Sequence, residues 1–380
     1  MNFHKIKKII YSNYAKIIYI TVIIFLLMDI VFSNTIIQDI IKKDCLRYIK
    51  YTSNEKNYYS YDLEKNCKAY ETKKTMKTYK VFTDNNGFRV SGENKGNKKD
   101  KNNSVIFLGD SFTYGIGLNY EDTIVGILES KNINYDVFNL GVPGYSPSIL
   151  KYRLQKILKA GYKPKKIFYL MDLTDVHDEA NRWTKIFEAK NPVILDIAIH
   201  KEIEKVFTFK KNFKMTRLLI YNLNKSFRNL RKEIKKKSFE EADKTIGKTQ
   251  WGSFTHLPYE KLDKEFWSPN DFNSGINNIK TNVKLISNMA SEIKSDFYIV
   301  VYPWAETLEY GEKYFNWQNF SQELCVFSNC TKLINAFSKF LKIKENFTYW
   351  KKEIYFLQDI HLNAKGNRIL AEIIYEEAFK

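Results

Sequence analysis

The strongest constraint on the fold is an alternation. Four short runs rich in β-branched and aromatic residues, at 105–108, 136–140, 166–171 and 297–302, each meet a turn-forming residue at Gly109, Gly141, Asp172 or Pro303. Runs this short and this apolar are the pattern of strands buried on both faces. Helical patterns fill the spaces between them, at 121–131, 146–161 and 276–293, with further helices expected at 333–340 and 364–379. The second pattern has its own punctuation. Ser146 takes the N-cap place, Pro147 the first helical place, Leu150, Leu154, Ile157 and Leu158 the apolar face, and Gly161 the C-terminal stop. Strands alternating with helices predict an α/β fold, a three-layer α/β/α sandwich with a mainly parallel sheet. A content of 44% hydrophobic and 16% aromatic residues excludes a mostly disordered chain. No internal repeat is present.

The N-terminus predicts one transmembrane helix ahead of that fold. Residues 17–28 are uncharged, Asp29 interrupts them, and Ile30, Val31 and Phe32 resume the run. Lys5, Lys7, Lys8 and Lys16 precede it, which places the N-terminus in the cytoplasm and the remainder of the chain outside. A cleaved signal peptide is the rival, with a weak cleavage signal at Val31-Phe32-Ser33. Residues 1–34 therefore read as cytoplasmic tail and membrane anchor, and 35–104 as an extracytoplasmic stalk or cap ending in a charged loop. Residues 105–380 read as the main domain with an insertion at about 190–275. The four cysteines allow three pairings, of which Cys45–Cys67 and Cys325–Cys330 are the most local. Such pairs suit an oxidising compartment. No CxxC pair or nearby His accompanies them, so no metal is expected. The formal charge is +18, but Lys supplies 53 of the 61 basic residues and is scattered along the whole chain. Base readers lean on Arg, so nucleic acid is not an expected partner. A Lys-rich surface suits acidic glycans or an anionic membrane.

In open parallel sheets, ligands sit beyond the carboxyl ends of the strands. There the chain places Gly109-Asp110-Ser111-Phe112-Thr113, then Gly141-Val142-Pro143-Gly144, then Asp172-Leu173-Thr174-Asp175, and, before the last helix, Asp359-Ile360-His361-Leu362-Asn363. A Ser hydroxyl is a weak nucleophile until a base takes its proton. His361 can be that base, and Asp359 can orient its ring. Backbone N–H groups of Ser111 and Gly141, with the Thr174 hydroxyl, can receive the oxyanion. Asp110 is expected to hold the turn, with Asp172 and Asp175 in supporting places. Asp175, Asp178 and Glu179 read as a polar loop rather than a cation site, and His177, His200 and His256 as structural. Trp304, Trp267, Trp317 and Tyr145 could stack on sugar rings, but read first as core or cap packing.

These residues resemble a known family. Gly109-Asp110-Ser111-Phe112 is similar to the first block of the SGNH, or GDSL-type, hydrolases, and the stretch from Asp359 to Glu372 to their closing block. A Gly block and a third block lie between them in the family's order. The resemblance implies Ser111 as nucleophile, Gly141 as oxyanion donor and Asp359 with His361 completing a triad, with no cofactor. Two positions depart from the pattern. Thr174 stands where the family has Asn, and the Asp-x-His spacing is one residue shorter than the usual Asp-x-x-His. Membrane-anchored members associated with surface polysaccharides share a GDSFTYG-type block and a stretch like Tyr302-Pro303-Trp304. They imply an extracytoplasmic esterase or O-acyltransferase acting on an acyl group, acetyl foremost, of an envelope polysaccharide, with a membrane-bound acyl donor as a further partner. The alternative is a glycan-binding or assembly-scaffold protein that kept the fold and lost turnover.

Overall fold

Strand β6 (Ser104–Leu108) is buried at every residue and lies at the point where the sheet reverses direction. It pairs in parallel with β7 (Asp136–Asn139) on one side and β8 (Lys166–Met171) on the other. Strands β9 (Asp296–Val301) and β10 (Lys332–Asn335) continue in parallel beyond β8. The computed structural model describes residues 3–35, 44–53, 56–72, 76–93, 99–131, 133–183, 215–216, 249–263, 266–267, 269–357 and 359–380. The chain divides into two units, Met1–Lys42 with Ile194–Lys237, and Lys43–Val193 with Ser238–Lys380.

In the larger unit, right-handed crossovers fix where the helices go. The step from β6 to β7 runs one way along the sheet, and every later step runs the other way. Helix α3 (Ile124–Ser130), on the first crossover, therefore covers one face. Helices α4 (Pro147–Lys159), α6 (Pro269–Glu292) and α8 (Trp317–Ser328), on the later crossovers, cover the other. The contacts agree: α6 packs on α4 and α8, and the last helix, α11 (Ala364–Ala378), packs on α3. The short helices are α2 (Ser111–Tyr114), α5 (Thr174–His177), α7 (Ala305–Tyr310), α9 (Phe337–Asn346) and α10 (Trp350–Ile354). Ser146 does occupy the N-cap place of α4, but its hydroxyl donates to Glu179 Oε1 (2.6 Å). The same buried carboxylate accepts the Ser148 N–H, so Glu179 satisfies a free donor of that helix.

Two expectations are corrected here. Of residues 35–104, read as a stalk or cap ending in a charged loop, three described strands belong to the domain itself. Strands β3 (Lys68–Glu71), β4 (Tyr79–Thr83) and β5 (Arg89–Val90) extend the central sheet, with β5 antiparallel to β7. The turn at Asp84–Gly87 joins the last two, with Gly87 at φ 83° and Asp84 Oδ1 accepting from Asn86 and Phe88. Further out, β1 (Leu46–Ser53) and β2 (Lys56–Leu63) form a separate hairpin, tied at its base by the Cys45–Cys67 disulfide. The second correction concerns 333–340, where one helix was expected. The chain instead forms β10 and then α9; the apolar spacing of Leu333, Ile334, Phe337 and Phe340 mimics a helical face and masks the strand. The sheet thus begins and ends on four-residue strands, β3 and β10. Their Lys68 and Lys332 pair with Glu93 and Glu377. The second local disulfide, Cys325–Cys330, is also formed.

Arg89 anchors the antiparallel extension to the rest. Its buried guanidinium donates to the carbonyls of Tyr114, Gly115 (2.8 Å) and Leu118, directly after α2, and lies 4.6 Å from the Tyr114 ring centroid. Arg89→Met removes a buried donor from each of those carbonyls, of which, among the described residues, only Gly115 keeps a backbone partner, the Leu118 N–H. It is expected to destabilise the fold by about 3 kcal/mol or more, read as a lower denaturant midpoint.

In the smaller unit, α1 (Phe3–Thr35) exposes Ile17, Ile18, Ile20, Val22, Leu27 and Val31. Asp29 is buried and accepts the N–H groups of Met215 (2.8 Å) and Thr216 (2.7 Å). Among the described residues, no helix is long and apolar enough to cross a membrane. The expected transmembrane span therefore finds no support here. Lys16 and Asp29 bracket only residues 17–28 as an uncharged run, short of the roughly 20 residues a crossing needs. Most of the expected insertion at 190–275, including its basic run, lies outside the described residues.

Candidate active site

Ser111 opens α2 immediately after β6, and the backbone there is tightly confined. A Cβ at Gly109 would lie 2.1 Å from Thr113 Oγ1, so only glycine lets strand and helix meet at this angle. Asp110 caps α2 by accepting the Phe112 N–H on Oδ1 (2.9 Å). Its Oδ2 lies 3.0 Å from Ser111 Oγ. His361 arrives from 250 positions away, with Nε2 at 2.7 Å from Ser111 Oγ. Its Nδ1 is hydrogen-bonded to Asp359 Oδ1, and its backbone N–H donates to the same oxygen (3.1 Å). The short Asp-x-His spacing therefore still delivers the carboxylate to the ring.

The loop that makes this possible is held at both ends. Phe356 N–H donates to the His361 carbonyl and Asn363 N–H to that of Ile354. The Asn363 side chain then caps α11 by accepting from Lys365 and Gly366. Asn367, in the first turn of α11, donates to the Leu362 carbonyl and accepts from Ile124 N–H, tying the loop to α3. The Phe112 ring packs against the His361 ring at 4.7 Å between centroids. Burial pushes the Asp359 carboxyl up, but the hydrogen bonds and charge of His361 outweigh it and leave it below the usual carboxylate value.

A buried carboxylate cluster backs the nucleophile. Asp172 Oδ1 accepts the Thr174 N–H (2.9 Å) and hydroxyl (2.5 Å), while Oδ2 accepts from Tyr302 (3.1 Å) and Trp304 Nε1 (2.8 Å). Asp175 Oδ2 accepts from the Tyr169 hydroxyl (2.5 Å) and the Asp172 N–H (3.0 Å). Burial, reinforced by the charge of Asp172, raises Asp110 well above the ordinary carboxylate value. Burial, with the charges of Asp172 and Asp110, does the same to Asp175.

This shift has a consequence for stability. A carboxyl whose folded pKa is raised holds its proton longer in the folded state. Its contribution is therefore full below the unfolded pKa near 4 and lost as pH rises through the folded value. Asp175→Asn removes that loss. Its melting temperature is expected to exceed wild type at about pH 8 and to converge with it near pH 4, as read by calorimetry at both pH values.

Two of the three expected oxyanion donors, Thr174 and Gly141, are engaged elsewhere. The single Thr174 proton goes to Asp172, so that hydroxyl braces the cluster instead. The Gly141 N–H donates to Asn139 Oδ1 (2.9 Å). Gly141 is glycine for another reason: a Cβ there would lie 2.2 Å from the Tyr114 N. Asn139 in turn donates to the Thr113 carbonyl (2.8 Å), fastening this loop to α2. In the same loop, Gly144 has φ 73°, and its N–H meets no acceptor among the described residues. The loop is braced from outside by the hairpin: Tyr61 donates to the Pro143 carbonyl (2.6 Å) and Tyr145 to the Tyr61 carbonyl.

For the four aromatics, the structure has the core packing that was the favoured reading, not sugar stacking. Trp267, Trp304, Trp317 and Tyr145 are all at most 1% exposed and offer no open ring face. Trp304 instead works through its indole N–H on Asp172, with Tyr302 beside it. The stretch Tyr302-Pro303-Trp304 was visible, but a hydrogen-bonding role had no sequence signature. His177 stacks on Phe266 (4.0 Å between centroids) and His256 on Tyr310 (4.8 Å), and neither joins the triad. The His4 and His200 side chains lie outside the described residues. Among the described residues, no group of three or more His, Cys, Asp or Glu is arranged to hold a metal ion.

No protein-family model and no curated protein matches the chain. Solved structures similar to it include a member of the lipolytic protein G-D-S-L family from Veillonella parvula DSM 2008, at 12% identity and TM-score 0.40, covering 73% of this chain and 98% of that one. An acetylxylan esterase from Geobacillus stearothermophilus matches at 11% identity and TM-score 0.37, over 72% and 93%. A psychrotrophic esterase from a Pseudoalteromonas species matches at 13% and 0.36, over 72% and 96%. Likenesses this remote leave the chemistry to be argued from the geometry of the site itself.

Proposed function

We propose that the protein is an acyl-ester hydrolase or O-acyltransferase working through Ser111, His361 and Asp359. The observation that carries this reading is the unbroken path from Ser111 Oγ to His361 Nε2 (2.7 Å) and from His361 Nδ1 to Asp359. Ser111 Oγ attacks the ester carbonyl while its proton passes to Nε2. Asp359 holds the ring and offsets the charge of the imidazolium. The proton then goes to the leaving hydroxyl, and an acyl-serine remains for water or a second hydroxyl to resolve. We nominate the backbone N–H of Gly144, on the loop after β7, as an oxyanion donor. Gly144 suits the role by its uncommitted donor and left-handed backbone.

The preferred substrate is a short acyl ester, acetyl foremost, on an envelope polysaccharide. Ser111 is only 9% exposed and Phe112 packs beside His361, which favours a small acyl group. Export is supported by the two disulfides and the apolar N-terminal run. We place the catalytic domain outside the cytoplasmic membrane, with α1 as its membrane attachment. A membrane-bound acyl donor belongs to the transferase form of this reading. The test is covalent labelling of Ser111 by a serine-directed phosphonate, with release of p-nitrophenol from p-nitrophenyl acetate by residues 35–380. Labelling with turnover supports a hydrolase, and a burst without turnover supports a transferase awaiting its acceptor. Folded protein that is never labelled is a binding module instead.

A further inference from the structure

Ser111 Oγ has one proton and two neighbours able to take it, His361 Nε2 at 2.7 Å and Asp110 Oδ2 at 3.0 Å. An ionised Asp110 competes with the base for that proton. A neutral Asp110 reverses the bond, donating to Ser111 Oγ and leaving His361 as the acceptor for the serine proton. The other oxygen, Oδ1, is already taken by the Phe112 N–H, so the oxygen that carries a proton in the neutral form is the one facing Ser111.

The surroundings of Asp110 decide between the two states. Asp172 faces it from the end of β8, Asp175 from α5, and Tyr302 from just beyond β9, while Ser111 and then His361 lie on its other side. Burial raises Asp172 as well, but its four donors, from Thr174, Tyr302 and Trp304, oppose that rise and make it the member of the pair that keeps its charge. Asp110 has no ion pair among the described residues, is 3% exposed, and borders that charge.

We propose that Asp110 acts as a neutral acid whose proton points at Ser111 Oγ and commits the serine proton to His361, with ionised Asp172 keeping it neutral. This rests on Ser111 being the nucleophile. During attack, the bond from Ser111 Oγ to the acyl carbon forms and the serine proton moves to His361 Nε2. The Asp110 proton stays on Asp110 throughout.

The test measures the rate of Ser111 phosphonylation against pH in wild type, Asp110→Ala, Asp110→Asn and Asp172→Asn, with folding checked by circular dichroism. Asp110→Ala is expected to slow labelling about tenfold or more near neutral pH. Asp110→Asn, whose amide still donates to Ser111, recovers most of that loss. Wild type loses rate on the alkaline side as Asp110 ionises, and Asp110→Asn does not. Asp172→Asn removes the charge that holds the Asp110 proton, so its alkaline fall moves to lower pH. An infrared difference between wild type and Asp110→Asn at neutral pH shows the carbonyl stretch of one neutral acid. Asp110→Asn as slow as Asp110→Ala, or no such stretch, overturns the assignment. Wild type that is not labelled at Ser111 instead overturns the underlying reading of the site.

Discussion

Ser111→Ala is expected to lower kcat/KM for p-nitrophenyl acetate by on the order of 10⁴-fold or more, with the fold intact. Ser111 Oγ contacts both His361 and Asp110, so its removal leaves a base with nothing to activate. Packing changes little, because the side chain is small and the ends of α2 are fixed by Asp110, Arg89 and the Gly115 turn. Melting within about 2 °C of wild type together with lost turnover is the expected pair of results. Turnover that survives the change places the chemistry at another residue.

Asp359→Asn is expected to cost on the order of 10³- to 10⁴-fold in kcat. The carboxylate accepts a hydrogen bond from Nδ1, which leaves Nε2 without a proton and ready to receive one from Ser111. An amide can turn its N–H₂ toward Nδ1 and stabilise the opposite tautomer, which has nothing to accept with. The pH dependence has a definite sign. Because His361 holds the Asp359 pKa below its ordinary value, the stabilisation from the ionised form is complete above the unfolded pKa near 4. It is lost only as pH falls through the lower folded value. Any acid limb of kcat/KM that wild type shows above about pH 5 therefore belongs to another group.

The parallel core was legible because burial on both faces leaves a direct mark, a continuous apolar run such as Val105-Ile106-Phe107-Leu108 ending in glycine. Ser111, His361 and Asp359 were legible for a related reason: their places derive from being next after a strand or next before a helix. Three things were not. Strand β5 has only two residues, and β3 carries Lys68 and Tyr70 outward, so neither rises above a loop-like composition. The β10 strand lies at an edge and shares its apolar residues with a helical spacing. The donor assignments of Gly141 and Thr174 failed because residue type does not tell where a proton points. Asn139 and Asp172 captured those protons, and only the folded geometry reveals it.

The way the sheet terminates bears on how copies of the protein behave at high concentration. An exposed sheet edge is a template for another chain, and long flat edges lead to fibrous association. Here both outermost strands, β3 and β10, are four residues long and start on a lysine held to a glutamate. Another molecule docking against either edge would gain a few main-chain bonds and would meet like charge. The eight-stranded sheet is thereby closed to growth without being rolled into a barrel, and copies of the protein at high concentration stay dispersed through the plan of their own edges.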